Sequence, residues 1–95
     1  MDTNMQFGTP NAGASLAVAY TGTAGTTTAM GPDVRAVRVV CTTAAFIEIG
    51  SAPTAVANTG LYMPAGVAEY FQCGPNGKVS AIQAAVGGTL YITPF

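Results

Sequence analysis

Charged side chains are nearly absent from this chain. Its 95 residues include three Lys or Arg, four Asp or Glu and no His, which gives a formal net charge of −1. Proteins that bind nucleic acids neutralise backbone phosphates with clustered cations. Arg35, Arg38 and Lys78 are too few to form such a cluster. We therefore expect no nucleic-acid partner.

The residue types that carry most enzyme chemistry are also scarce. Nucleophilic catalysis by Ser or Cys needs a neighbouring base, and without His the single lysine, Lys78, would have to serve. Glycoside hydrolysis needs two carboxylates that face each other, and nothing in the spacing of Glu48 and Glu69 arranges them so. Two cysteines alone do not make a metal site. We expect no enzymatic activity, no cofactor and no metal ion.

Cysteines and long apolar runs are few. Small secreted scaffolds usually hold about four to eight cysteines, whereas this chain has only Cys41 and Cys73. We expect both to be reduced core thiols, with a bridge between them as the alternative. No segment has the roughly 18 consecutive apolar residues that span a bilayer, and Asp2 stands where a signal peptide needs positive charge. We therefore expect synthesis in the cytoplasm and no membrane partner.

What the chain does contain is much apolar surface in a small domain. Hydrophobic residues make up 49% of the sequence. A domain of this size buries only about two-thirds of the surface that its unfolded chain exposes. Much apolar area must remain outside, and this favours a protein that packs against partners.

The composition changes near Pro32. Residues 1–33 are mostly Thr, Gly, Ala, Asn and Met, and we expect them to form an extended N-terminal arm or long loop. Within this segment Leu16, Val18 and Tyr20 alternate with small residues. The alternation predicts one strand that pairs with this domain or with a neighbouring subunit. A mobile tail without a role is the alternative for the whole segment.

Residues 34–95 form a succession of short apolar segments broken by turn residues. Alternation places Val37, Val39 and Cys41 on one face of the first strand, which predicts a core face. About six strands at this spacing predict an all-β fold, either a small antiparallel β-sandwich or a jelly-roll-like barrel. The predicted organisation is an arm, 1–33, followed by a β-domain.

Hairpins are the predicted links between consecutive strands. The segment 44–50 can turn back on the strand before it, which would place Glu48 opposite Arg38 or Arg35. The Gly-Pro-Asn-Gly sequence at 74–77 should join two antiparallel strands. The Gly-Gly pair at 87–88 offers a tight turn into the last strand.

One charged residue disturbs the alternation. In the strand predicted at 67–73, Glu69 falls on the apolar face together with Phe71. Either Glu69 lies at the rim of the sheet, or a bulge re-aims its side chain, or the predicted register is wrong by one residue.

Five short motifs lie between residues 45 and 95. They are a strand that ends in Gly, a Pro-Thr-Ala connection, a Leu-Tyr-Met-Pro-Ala-Gly bend, a Glu-Tyr-Phe strand and a C-terminal Gly-Thr-Leu hairpin, at 46–50, 53–55, 61–66, 69–71 and 88–90. With these motifs about half of the chain resembles small β-rich structural proteins of tailed bacteriophages. None of the motifs is a catalytic signature.

The resemblance implies a capsid cement or decoration protein, located at the capsid surface of the virion after synthesis in the host cytoplasm. Such a protein binds as a homo-oligomer, a trimer or a dimer, across junctions between major capsid protein subunits. Aromatic residues lead interface hot spots, and the predicted strand of the arm adds further apolar contacts. The candidate interface residues are therefore Leu16, Val18, Tyr20, Tyr62, Tyr70, Tyr91 and Phe95.

Two other functions stay open. A tail- or fibre-associated phage protein would share the β composition and the oligomerisation. A small carbohydrate-binding β-sandwich would use Tyr62, Tyr70 or Tyr91 as an exposed stacking platform, although the chain has no Trp. For each tyrosine, a position at the edge of the core is the alternative to an interface role.

Overall fold

The computed structural model describes residues 16–94, and every regular element in this range is a β-strand. The all-β prediction is confirmed. Threonine, valine and isoleucine, which are enriched in strands, recur in most of these elements. The eight strands are β1 (Leu16–Tyr20), β2 (Gly25–Thr26), β3 (Ala36–Cys41), β4 (Ala45–Gly50), β5 (Leu61–Met63), β6 (Glu69–Gln72), β7 (Lys78–Gln83) and β8 (Gly88–Pro94).

The strands form two antiparallel four-stranded sheets. Sheet A has the order β1-β8-β3-β6 and sheet B has the order β2-β7-β4-β5. The pairing is nested: β1 pairs with β8, β2 with β7, β3 with β6 and β4 with β5. Every connection except the one between β4 and β5 crosses from one sheet to the other.

The hydrophobic core lies between the two sheets. Val37, Val39 and Cys41 are fully buried, which confirms the core face predicted for β3. In β8 the buried Leu90 alternates with the exposed Tyr91. Sheet A and sheet B both contribute to one cluster, so the fold is a β-sandwich. Further members of this cluster are Tyr20, Ala45, Ile47, Met63, Val79, Ala81 and Ile92.

The hairpin predicted between β3 and β4 is wrong. The two strands belong to different sheets, so Glu48 lies opposite Ser80, and Arg38 lies beside Tyr70 and Thr93. Two strands joined by a short turn can pair in one sheet or face each other across the core. The alternation of side chains is the same in both arrangements.

The turn at 74–77 forms as predicted, but it does not join two paired strands. Gly77 N donates a hydrogen bond to Gly74 O at 3.0 Å, and Asn76 has a φ of 57°. The turn connects β6 in sheet A to β7 in sheet B. The Gly-Gly pair at 87–88 likewise connects strands of different sheets, β7 in sheet B and β8 in sheet A. A tight turn reverses the direction of the chain but does not decide whether the two strands pair.

Residues 16–33 belong to the sandwich. β1 pairs with β8 from Leu16 opposite Ile92 to Tyr20 opposite Gly88, and β2 pairs with β7. The strand predicted in the N-terminal segment therefore adds to the protein's own sheet, because burial of the Tyr20 ring anchors it in the core. The rest of the expected arm, 1–15, lies outside the described residues.

Glu69 lies at the rim of sheet A in the predicted register. It stands opposite Val39, whose side chain points into the core, and it is half-buried. β6 is an edge strand of sheet A. The Glu69 carboxylate therefore faces inward at an edge, where solvent remains within reach.

The connections are divided between the two ends of the sandwich. The loops 21–24, 42–44, 64–68 and 84–87 lie together at one end, which we call the loop end. Backbone hydrogen bonds link them: Gln83 N donates to Thr21 O at 3.0 Å, and Ala84 N donates to Ala44 O at 3.0 Å. The opposite end carries the loops 27–35, 51–60 and 73–77.

Candidate interaction surfaces

The tyrosines predicted for an interface divide into exposed and buried members. Tyr62, Tyr70 and Tyr91 are 55%, 59% and 47% exposed. Tyr62 lies on sheet B, whereas the other two lie on sheet A. The exposed tyrosines therefore point away from the core on both sides of the sandwich.

Tyr20 lies in the core and has no surface to offer a partner. Its ring is 1% exposed, and its hydroxyl donates a hydrogen bond to Thr43 O at 2.5 Å and accepts one from Thr43 N at 3.2 Å. Leu16 and Val18 are half-buried and pack against the core. The last interface candidate, Phe95, lies outside the described residues.

The outer face of sheet A has few charges. Ala17, Tyr91 and Val40 are neighbours in one row across the sheet, and Arg38 and Tyr70 are neighbours in the next. Within the described residues of its four strands, Arg38 is the one charge on this face. Small side chains let a partner approach closely, and tyrosines supply large contact area with few rotatable bonds.

The outer face of sheet B exposes an aromatic pair. The rings of Phe46 and Tyr62 lie edge to face, with centroids 5.5 Å apart and an interplanar angle of 61°. Ile82 is the neighbour of Phe46 on β7. Edge-to-face rings form a stable apolar surface, which lies on the half of the sheet nearer the loop end.

On the other half of this face the loop 51–60 covers Ser80, whereas Glu48 beside it stays exposed. Ala55 N donates a hydrogen bond to Ser80 Oγ at 2.9 Å, and Thr26 Oγ1 donates to the same oxygen at 3.1 Å. Ser80 is fully buried although it lies on the outer side of β7. The buried serine thus ties the loop to the sheet. Nothing in the sequence pattern indicated this contact.

The two thiols are unsuited to nucleophilic chemistry. Cys41 and Cys73 are free and buried, as predicted. Burial raises the pKa of Cys41, opposed by a hydrogen bond with Tyr20. Burial also raises the pKa of Cys73, opposed by the positive charge of Arg35. Both side chains are therefore neutral at physiological pH, whereas the reactive form of cysteine is the thiolate.

The described residues also form a cleft beside Arg35. The cleft has a volume of about 360 Å³ and is lined by Arg35, Gln72, Cys73 and Gly74. The Arg35 guanidinium there donates a hydrogen bond to Pro32 O at 3.0 Å and so supports a loop of this chain. Between residues 16 and 94, no three His, Cys, Asp or Glu residues stand close enough to hold a metal ion. The same range contains no helix with the length and apolar character needed to cross a membrane.

No protein-family model, curated protein or solved structure matches the chain. The likeness to phage structural proteins therefore stays a prediction from short motifs. The described residues present two outer faces, one with Tyr70 and Tyr91 exposed and the other with the Phe46–Tyr62 pair.

Proposed function

We propose that this protein is a structural component of a bacteriophage virion, a decoration protein that stabilises the head by binding across junctions between major capsid proteins. The observation that carries the proposal is the outer face of sheet A, which exposes Tyr70 and Tyr91 and, within the described residues of its strands, has Arg38 as its one charge. Interface cores are enriched in aromatic residues and depleted of charge.

The strand order supports the same proposal. We interpret the nested pairing, first strand with last and so on to the innermost pair, as the winding of an eight-stranded jelly roll. Domains of viral capsids use this architecture, and so do lectins. Because fold alone does not assign function, the proposal depends on the exposed faces, and the winding adds to it.

The mechanism is stabilisation by mass action. A protein that binds the assembled shell but not its separate subunits stabilises the shell by about 4 kcal/mol per site at a free concentration 1,000 times the dissociation constant. A homo-oligomer of the decoration protein engages several sites at once, which raises the apparent affinity without new contacts.

Binding to shells tests the proposal. Empty shells assembled from the major capsid protein encoded in the same genome are mixed with the full chain, and bound copies are counted after sedimentation. We expect saturation at a fixed ratio to the capsid subunits and a higher melting temperature of the decorated shell. Tyr91→Ala should weaken binding at least tenfold, whereas the matched control Thr59→Ala, in the exposed loop 51–60, should not.

Two results would contradict the proposal. No binding to shells at any concentration excludes a head decoration protein. A few copies per intact virion, instead of hundreds, would assign the chain to the tail or a tail fibre.

A carbohydrate-binding module is the second candidate, because the half-buried Phe46 and the exposed Tyr62 form an aromatic pair of the kind on which a sugar ring can stack. Titration of the protein against a glycan array tests it. Saturable binding that Tyr62→Ala abolishes and Tyr91→Ala leaves intact would favour this function over the virion.

A further inference from the structure

The loop end contains no charged residue. Its four loops, 21–24, 42–44, 64–68 and 84–87, consist of Thr, Gly, Ala, Val and Pro. All charges of the described residues lie elsewhere, on the strands or in loops of the opposite end. These charged residues are Asp33, Arg35, Arg38, Glu48, Glu69 and Lys78.

The loop end also exposes aliphatic side chains that the fold does not use. Val67 is 44% exposed and Val86 is 60% exposed, and neither packs against the core cluster. Ala65 is exposed in the loop of Val67, and Ala84 and Ala85 are exposed in the loop of Val86. An exposed apolar area without charge marks a contact surface more often than a chance arrangement.

Hydrogen bonds hold the four loops in fixed positions. Thr43 Oγ1 donates to Val86 O at 3.1 Å, Thr89 N donates to Thr42 Oγ1 at 2.8 Å, and Gly66 N donates to Cys41 O at 2.8 Å. The buried Tyr20 hydroxyl bonds to the middle of this network. A surface that is ordered before binding loses less conformational entropy on association.

From these observations we infer that the loop end is the surface by which the protein docks onto an uncharged, aliphatic protein surface. The inference rests on the proposed function and adds the loop end to the tyrosine-bearing face of sheet A as a part of the chain that contacts the shell. A charged group of a partner would lose its water here without gaining an opposite charge. The matching surface is therefore neutral.

The chemistry of the loops disfavours other partners. Nucleic acids need cations, which the loop end lacks. Membrane surfaces are bound through aromatic or basic anchors, and neither residue type occurs in the four loops. Stacking on a sugar needs an aromatic ring, so the Phe46–Tyr62 pair, not the loop end, would serve a glycan.

The size of the loop end favours a repeated partner. The four loops contain 16 residues together, fewer than the roughly 20 to 30 residues that each partner contributes to a standard stable interface. One copy of the loop end therefore binds weakly. Several copies in one oligomer bind tightly to a repetitive surface, because the later contacts are intramolecular.

Three valine variants of the full chain test the inference on the shells described above. Val67→Lys and Val86→Lys each place a charge at the loop end. Val56→Lys places the same charge at a valine of similar exposure, 55%, in the loop 51–60 at the opposite end. All three positions are exposed, and the melting temperature of each variant verifies its fold.

The expected result is a loss of at least tenfold in shell affinity for Val67→Lys and Val86→Lys, with Val56→Lys within twofold of the wild type. Equal losses in all three variants, or no loss in the first two, would overturn the loop end as the docking surface while leaving the proposed function intact. Failure of the wild type itself to bind shells would instead overturn the proposed function.

Two further measurements identify a different occupant. Sedimentation of the wild type alone would reveal a dimer, and a dimer abolished by Val86→Lys but not by Val56→Lys would mean that a second copy covers the loop end. Co-sedimentation with phosphatidylcholine vesicles, lost in the same variant, would mean a lipid surface. Either result overturns the protein partner proposed here.

Discussion

At the residue scale, Tyr20 connects the core to the loop end. Its ring fills space between the two sheets, and its hydroxyl bonds to the backbone of Thr43. The absence of a side chain at Gly88 makes room for this contact, since a Cβ there would stand 2.8 Å from the tyrosine hydroxyl. One buried hydroxyl therefore holds parts of the chain that lie far apart in sequence.

Tyr20→Phe should lower the free energy of unfolding by about 1–3 kcal/mol, because the Thr43 N–H and C=O lose their partner in a partly buried site. Urea denaturation measures the change. The control, Tyr91→Phe, alters an exposed ring and should stay within about 0.5 kcal/mol of the wild type. Equal effects of the two variants would contradict the role assigned to the Tyr20 hydroxyl.

The buried thiols predict a loss of stability in alkali. Burial raises the pKa of Cys41 and Cys73 in the folded protein, so the unfolded chain loses these protons first as pH rises above about 8.5. The stabilisation from the neutral thiols is fully present below that pH and is lost as pH rises towards the folded pKa values. Urea midpoints at successive pH values measure the loss, and the double variant Cys41→Ala, Cys73→Ala should flatten the curve. An unchanged alkaline slope in that variant would assign the loss to other groups.

At the element scale, the edge strands differ in how they avoid pairing with other molecules. β2 and β5 have only two and three residues, and short edges resist further pairing. β6 carries Glu69 on its inward side. An inward-pointing charge is a known protection of a sheet edge, and it accounts for the residue that broke the apolar alternation of this segment.

Glu69→Thr should increase association of the protein, because the edge strand β6 would lose its charge and become a better template for another strand. Light scattering against concentration measures the effect relative to the wild type. Glu48→Thr is the control, since it removes the same charge from β4, which is paired on both sides. Identical scattering of the two variants would show that the position of Glu69 has no protective role.

The loop 51–60 depends on one serine of β7. Ser80→Ala removes the acceptor for Ala55 N and the partner of Thr26 Oγ1, which should cost about 1–3 kcal/mol and expose the loop to thermolysin. Cleavage within the loop should become faster than in the wild type. The control is Ser51→Ala, at an exposed position of the same loop, which should leave both stability and cleavage unchanged. If Ser80→Ala were cleaved at the wild-type rate, other contacts would hold the loop.

At the scale of the whole molecule, one core joins both sheets. Nearly every connection crosses between the sheets, and the first strand pairs with the last. Neither sheet can therefore form its buried face without the other. Such long-range pairing also makes folding slow compared with helical proteins of this size.

Thermal unfolding of the protein should be a single cooperative transition. Calorimetric and van't Hoff enthalpies should agree, and tyrosine fluorescence should change together with far-ultraviolet circular dichroism. Two separate transitions would mean that part of the sandwich, such as β1 with β8, unfolds independently of the rest.

The sequence by itself determined which class of fold forms and which side chains face inward. Alternation is a local property with a period of two residues, so the core faces of β1, β3 and β8 follow from the order of residues such as Val37, Val39 and Leu90. The shortage of charge is also plain in the sequence, and the turn at 74–77 follows from its own Gly, Pro and Asn residues.

Only the tertiary structure decided which strands are neighbours. Alternation is identical whether two consecutive strands pair in one sheet or face each other across the core, and therefore the predicted hairpins were wrong. Alternation also could not predict the link between Ser80 and the loop 51–60, or the collection of four neutral loops at one end. These features bring together residues distant in sequence, and their positions depend on the packing of the whole sandwich rather than on any local pattern.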